Sequence, residues 1–95
     1  MSDTSPEYLE MADDGSYVDI TLPRPATFAG VEQQKLRMRE PTVDDQVVAS
    51  EMKGSDATRE ISMFANLCEV APDEIRALPM RSWTRVQKAY SSFLD

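Results

Sequence analysis

Apolar and polar residues alternate from Tyr17 to Leu22, with Val18, Ile20 and Leu22 on one side and Asp19 and Thr21 on the other. A period of two predicts a strand with one buried face. Pro23 and Pro25 follow. A residue without an N–H cannot sit inside a ladder, so this strand must lie at an edge or break there. Ala29-Gly30, after Phe28, reads as a turn, because glycine tolerates positive φ. Alternation returns from Val31 to Glu40, where Leu36 and Met38 interleave with Lys35, Arg37 and Arg39. Two strands alone are marginal in water, so the hairpin is expected to lay its apolar face on helices.

The period then becomes helical. Pro41 ends the ladder, Thr42 suits an N-cap, and Asp44 and Asp45 fall in the first turn, where carboxylates suit the helix dipole. The spacing predicts a first helix over Val43 to Met52, with Val43, Val47, Val48 and Met52 as its apolar stripe, stopped by Lys53-Gly54-Ser55. A second helix over Asp56 to Glu69 is capped by Ser55 and turns Ala57, Ile61, Phe64, Ala65 and Cys68 toward a core. Met63 and Leu67 fall outside that arc and form a second, narrower stripe. Pro72 opens a third helix with Asp73 and Glu74 in its first turn; Ile75 and Leu78 are its buried side, and Pro79 limits it to about two turns. The last helix is expected to start near Ser82 as its cap. Trp83, Val86, Tyr90, Phe93 and Leu94 share one arc, opposite Arg81, Arg85 and Lys88. The fold class is α+β: an N-terminal β-hairpin followed by about four short helices, in one domain over residues 17–95.

Charge changes the picture only at the front of the chain. The 95 residues carry a net charge of -7, and five of the seventeen acids (Asp3, Glu7, Glu10, Asp13, Asp14) lie in the first sixteen residues with no base. Residues 1–16 are therefore read as an acidic disordered tail, with Tyr8, Leu9 and Met11 as a frayed turn rather than a docking segment. A negative chain is a poor binder of nucleic acid. A core this small would gain stability from self-association or a partner. One cysteine, Cys68, and no histidine leave no intrachain disulfide framework, no Cys/His zinc site and no Ser-His-Asp system. No catalytic residue, cofactor or metal is expected. Met63 to Cys68, the longest near-apolar run, is too short to span a bilayer, and the chain is expected in the cytoplasm without a membrane partner.

Several groups invite a chemical reading. Asp44-Asp45 and Asp73-Glu74 are paired carboxylates, as acid–base or metal work needs, but each pair sits where a helix N-terminus favours negative charge. Cys68, on a core arc, reads as an inert buried thiol. Arg81, Arg85 and Lys88, beside Thr84 and Gln87, resemble a recognition helix. The alternative function is thus a small helix-turn-helix DNA-binding regulator using that basic face; an acidic DNA mimic using the tail is a third. A solvated helix face is the more ordinary reading. Lys35, Arg37 and Arg39 read as protection of a strand edge. Met63 and Leu67, off the core arc, with Met80 and the rim of Trp83, read as an adaptable apolar contact surface for a partner helix.

In order, Ile20-Thr21-Leu22, Pro23, Pro25, Gly30, Leu36-Arg37-Met38-Arg39-Glu40-Pro41-Thr42, Asp45, Ile61 to Cys68, Val70-Ala71-Pro72-Asp73-Glu74-Ile75, Leu78, Val86 and Phe93 form a pattern. It resembles the small tail assembly chaperones of long-tailed bacteriophages, the group of Mu-like phages and relatives, over roughly Tyr17 to Phe93. The acidic extension before Tyr17 is longer than that pattern, and Ser82 stands where it usually has Asp, another strong cap. The resemblance implies a non-enzymatic protein of the host cytoplasm, absent from the mature virion. It would coat the tape measure protein, a long apolar-striped helical chain, until tail tube subunits polymerise around it. It also implies a possible longer frameshift product of the same gene as partner. Arg39, Pro41, Thr42 and Asp45 are then a structural junction. Met63, Leu67, Met80 and Trp83 are the partner-binding candidates, and Asp at Met63 and Leu67 is expected to abolish solubilisation with the fold intact.

Overall fold

A computed structural model describes residues 6–94. It is an α+β arrangement: β1 (Leu9–Met11), β2 (Tyr17–Phe28), β3 (Val31–Arg39), α1 (Val43–Glu51), α2 (Asp56–Cys68), α3 (Pro72–Arg76) and α4 (Met80–Ser92). The three strands form one antiparallel sheet in the order β1-β2-β3. The first of them corrects the reading of residues 1–16 as a disordered tail. Residues 1–5 lie outside the described residues, but Leu9, Glu10 and Met11 pair with Ile20, Asp19 and Val18. Three residues are too few for a period to show in sequence, and the neighbouring acids hid them.

The prolines of β2 fall where both alternatives hold at once. Thr21 pairs with Lys35 and Ala26 with Gln33, so four residues of β2, from Leu22 to Pro25, bulge out opposite Gln34 alone. Neither proline faces a ladder partner, and β1 has already ended. Carbonyls around the bulge are met by side chains: Gln34 Nε2 donates to Leu22 O at 2.7 Å, and Arg85 Nη1 donates to Thr21 O at 2.7 Å. The hairpin closes on Ala29 (φ 52°) and Gly30 (φ 79°), both left-handed, as a two-residue type I′ turn requires. Gly30 adopts this freely; Ala29 does so at a cost of about 1 kcal/mol.

Val18, Ile20, Leu22, Leu36 and Met38 form the sheet side of the core, against Phe64, Ala65, Leu67 and Cys68 of α2, Ile75 of α3, and Val86 and Ala89 of α4. Burying each large side chain contributes about 1.5–3 kcal/mol. Phe64 sits at the centre, its ring 5.4 Å from Trp83 and 5.0 Å from Tyr90. α2 touches β3, α1 and α3. With neighbours on several sides its buried arc is wide, and the two stripes read from sequence merge: Leu67 is 1% exposed and belongs to the core, whereas Ala57 is exposed.

Two helices depart from the expected pattern. α4 begins at Met80 with Pro79 as N-cap, not at Ser82. Pro79 O accepts from the N–H groups of Ser82 and Trp83, each at 3.0 Å. Ser82 is thereby one turn inside, fully buried, with its hydroxyl unpartnered. α1 is turned the other way from its predicted stripe: it buries Asp45 and Ala49, while Val43 is 82% exposed and Val47, Val48 and Met52 also face outward.

Leu67→Asp should therefore unfold the domain rather than spare it, because a carboxylate in that position has no partner. The expected loss in urea denaturation is about 4 kcal/mol or more. At the hairpin, Ala29→Asn should raise stability by about 0.5–1 kcal/mol, since Asn accepts the left-handed conformation and keeps the backbone N–H. An unchanged urea midpoint would show that the turn is not strained.

Candidate partner-binding surface

The junction between β3 and α1 sets the orientation of every surface on that helix. Asp45 accepts from Arg39 Nη1 and Nη2, both at 2.8 Å, and from Thr42 N at 2.8 Å and Thr42 Oγ1 at 3.1 Å. The Asp45 N–H in turn donates to Thr42 Oγ1 at 3.2 Å, which completes a capping box. Arg39's bidentate fork holds the Asp45 carboxyl well below the ordinary 3.8, against the opposing effect of burial. Pro41 is what lets the chain leave the ladder here without stranding a donor. The negative charge of Glu69 lies near enough to help Asp45 stabilise the Arg39 guanidinium. That residue ends α2 at φ 58°, where glycine is usual, with Val70 N–H donating back to Ala65 O at 3.0 Å. Arg39, Pro41, Thr42 and Asp45 thus hold structure together; Asp45 is only 9% exposed.

The other groups with chemical promise are similarly engaged. Glu74 accepts from the N–H of Ala71 at its own helix start and from the N–H of Ala29 in the hairpin turn, which lowers its pKa. This long-range stitch from α3 to the β2–β3 turn has no signature in sequence spacing. Burial pushes the Cys68 thiol up to about 12, so it stays protonated and unreactive at neutral pH. Asp19 takes both Nε and Nη2 of Arg37 across the sheet at 2.8 and 3.1 Å, with the guanidinium 3.7 Å above the Tyr17 ring. On α4, Arg85 is committed to Thr21 O and lies 4.3 Å over the Tyr8 ring. Only Arg81 and Lys88 of the predicted basic row stand out in solvent. A recess lined by Arg37, Arg39, Leu67, Cys68 and Glu69 is about 150 Å³, below the size of ordinary small-molecule sites. Among the described residues no group of His, Cys, Asp and Glu is placed to hold a metal ion.

What the surface does offer is apolar area. Met80 is 70% exposed, and Trp83 is half-buried one turn further along the same flank of α4. Gln87, the next turn, reaches Glu60 of α2 at 3.5 Å. The Phe64 ring of α2 packs on Trp83 at a 40° tilt, and the neighbouring Met63 is half-buried at the margin of the core. Of the four candidates, Met80 is exposed, Met63 and Trp83 are half-buried against the core, and Leu67 lies within it.

Residues 19–95 match the family model described as phage tail assembly chaperone proteins, E, or 41 or 14. The chain belongs to the phage tail assembly chaperone family. No curated protein and no solved structure matches it. The match takes in all of β3 and the four helices of the chaperone and most of β2, and leaves β1 outside. Membership of a chaperone family implies protein partners in tail assembly, and the chaperone's accessible features, apolar and charged helix faces, suit protein contacts. Among the described residues no helix is long and apolar enough to cross a membrane.

Asp45→Asn should cost the chaperone about 2 kcal/mol at neutral pH; the full cost of a broken buried pair is reduced because the Arg39 side chain keeps 38% exposure. A carboxyl with a depressed folded pKa stabilises above its unfolded value and loses that contribution as pH falls through the folded one. The gap between wild type and Asp45→Asn should therefore be full at pH above 3.8 and shrink on acidification below it. A gap that is constant from neutral pH to strong acid would contradict the pairing.

Proposed function

We infer that this chaperone binds the tape measure protein and keeps it soluble and extended while the tail tube assembles, without catalysis. The observation that carries the reading is the family match over residues 19–95. The surface fits it: the exposed Met80 and the half-buried Trp83 of α4 and Met63 of α2 give polarisable, adaptable contact area, suited to many slightly different segments of one long helical partner. Weak sites repeated along such a chain act through avidity rather than single-site affinity. The contact residues in this reading are Met63, Met80 and the rim of Trp83. The protein acts in the host cytoplasm and leaves before the virion is complete. A longer frameshift product of the same gene would share this domain and these contact residues.

Arg85 speaks against the DNA-binding alternative. With that residue tied to Thr21 O, the row falls to Arg81 and Lys88, too few phosphate contacts for a strong salt-dependent grip.

Co-expression with the tape measure protein of the same phage tests the reading. Met63→Gln combined with Met80→Asp should lower the soluble tape measure protein about tenfold or more, with the chaperone's circular dichroism unchanged. Undiminished solubility with the folded double variant would reject these residues as the contact.

A further inference from the structure

α1 and α4 carry opposite charge in the same geometry. α1 contains Asp44, Asp45 and Glu51 and no base; α4 contains Arg81, Arg85 and Lys88 and no acid. One member of each set is committed within the fold, Asp45 to Arg39 and Arg85 to Thr21 O. The remaining pairs, Asp44 with Glu51 and Arg81 with Lys88, are all exposed, and none makes an ion pair among the described residues. Each pair is spaced seven residues apart, two helical turns, or about 10.5 Å along its axis. Val47 and Val48 flank the acidic line on α1 and are exposed. Within the chain the two helices have other neighbours: α1 packs on α2, and α4 on β2.

We propose that the α1 face of one copy docks antiparallel on the basic face of α4 of a second copy, pairing Asp44 with Lys88 and Glu51 with Arg81. The valines beside the acids cover the aliphatic stems of the cations. Antiparallel docking also sets opposite ends of the two helix dipoles side by side. Seven-residue spacing on both helices matches the shallow crossing at which such stripes stay in register. Pairing of α1 with α1, the other way to cover the valines, would oppose like charges. The contact joins two different faces, so each pair of copies retains one α1 and one α4 face. Two helices this short bury less than a standard interface, so association is weak and salt-sensitive.

This contact is independent of the tape measure reading, and its test contains no tape measure protein. Sedimentation equilibrium of the full chain at about 0.5 mM should show association at about 20 mM salt and its loss at about 500 mM. Asp44→Lys with Glu51→Lys, and separately Arg81→Glu with Lys88→Glu, should each give folded monomer at low salt. An equimolar mixture of the two should associate again, because each supplies the face that complements the other's reversed one. Asp44 also favours the first turn of α1, so Glu51→Lys alone serves as a second variant, with association weakened about fivefold or more. A wild type that stays monomeric at low salt, a charge-reversed variant that associates as the wild type does, or a mixture of folded variants that stays monomeric would each overturn the proposal.

Discussion

The Arg39–Asp45 pair, closed by Thr42, is the interaction on which the rest of the surface depends. It joins the last residue of the sheet to the first turn of α1 through two charge-assisted bonds of 2.8 Å. A helix that buries little more than Asp45 and Ala49 has no apolar face to hold it in place. Without the fork, α1 would be free to roll its valines inward against α2. With it, the one polar residue of α1 that the fold needs points in, and Val43, Val47 and Val48 stay out. Polar specification of orientation thus overrides the hydrophobic pattern of that helix, which is the reverse of what the rest of the chain does.

This inversion marks the boundary of what the sequence makes legible. The hairpin, its turn, the caps at Thr42 and Ser55 and the proline start of α3 follow from local chemistry, and the structure has them. The α+β class follows from the change of period after Pro41. The misses arise where non-local contacts decide. Leu67 reads as off-core on an isolated helical wheel because the wheel assumes one neighbour, and α2 has several. β1 is defined only by its partner strand. Ser82 has the chemistry of a cap, but Pro79 already supplies the helix start one turn earlier. Of the surface residues singled out from sequence, Met80 is exposed and Met63 and Trp83 are half-buried, so each remains accessible at least in part.

The structure divides its charges and its apolar surface between different tasks. Arg37, Arg39, Arg85, Asp19, Asp45 and Glu74 hold strands, turns and helices together. Asp44, Glu51, Arg81 and Lys88 remain exposed, and we propose them for contact between copies, with Met63, Met80 and Trp83 proposed for a helical partner. If both proposals hold, the separation has a physical advantage: copies could associate along a partner chain without competing for the surface that grips it.

Oxidative footprinting of the chaperone, free and in complex with the tape measure protein of the same phage, locates the proposed contact. Thioether oxidation reports solvent access residue by residue. Met80 and Met63 should become protected in the complex while Met11, on the short first strand, oxidises as in the free protein. Protection of Met11 with Met80 and Met63 unchanged would place the partner elsewhere and contradict the contact at α2 and α4.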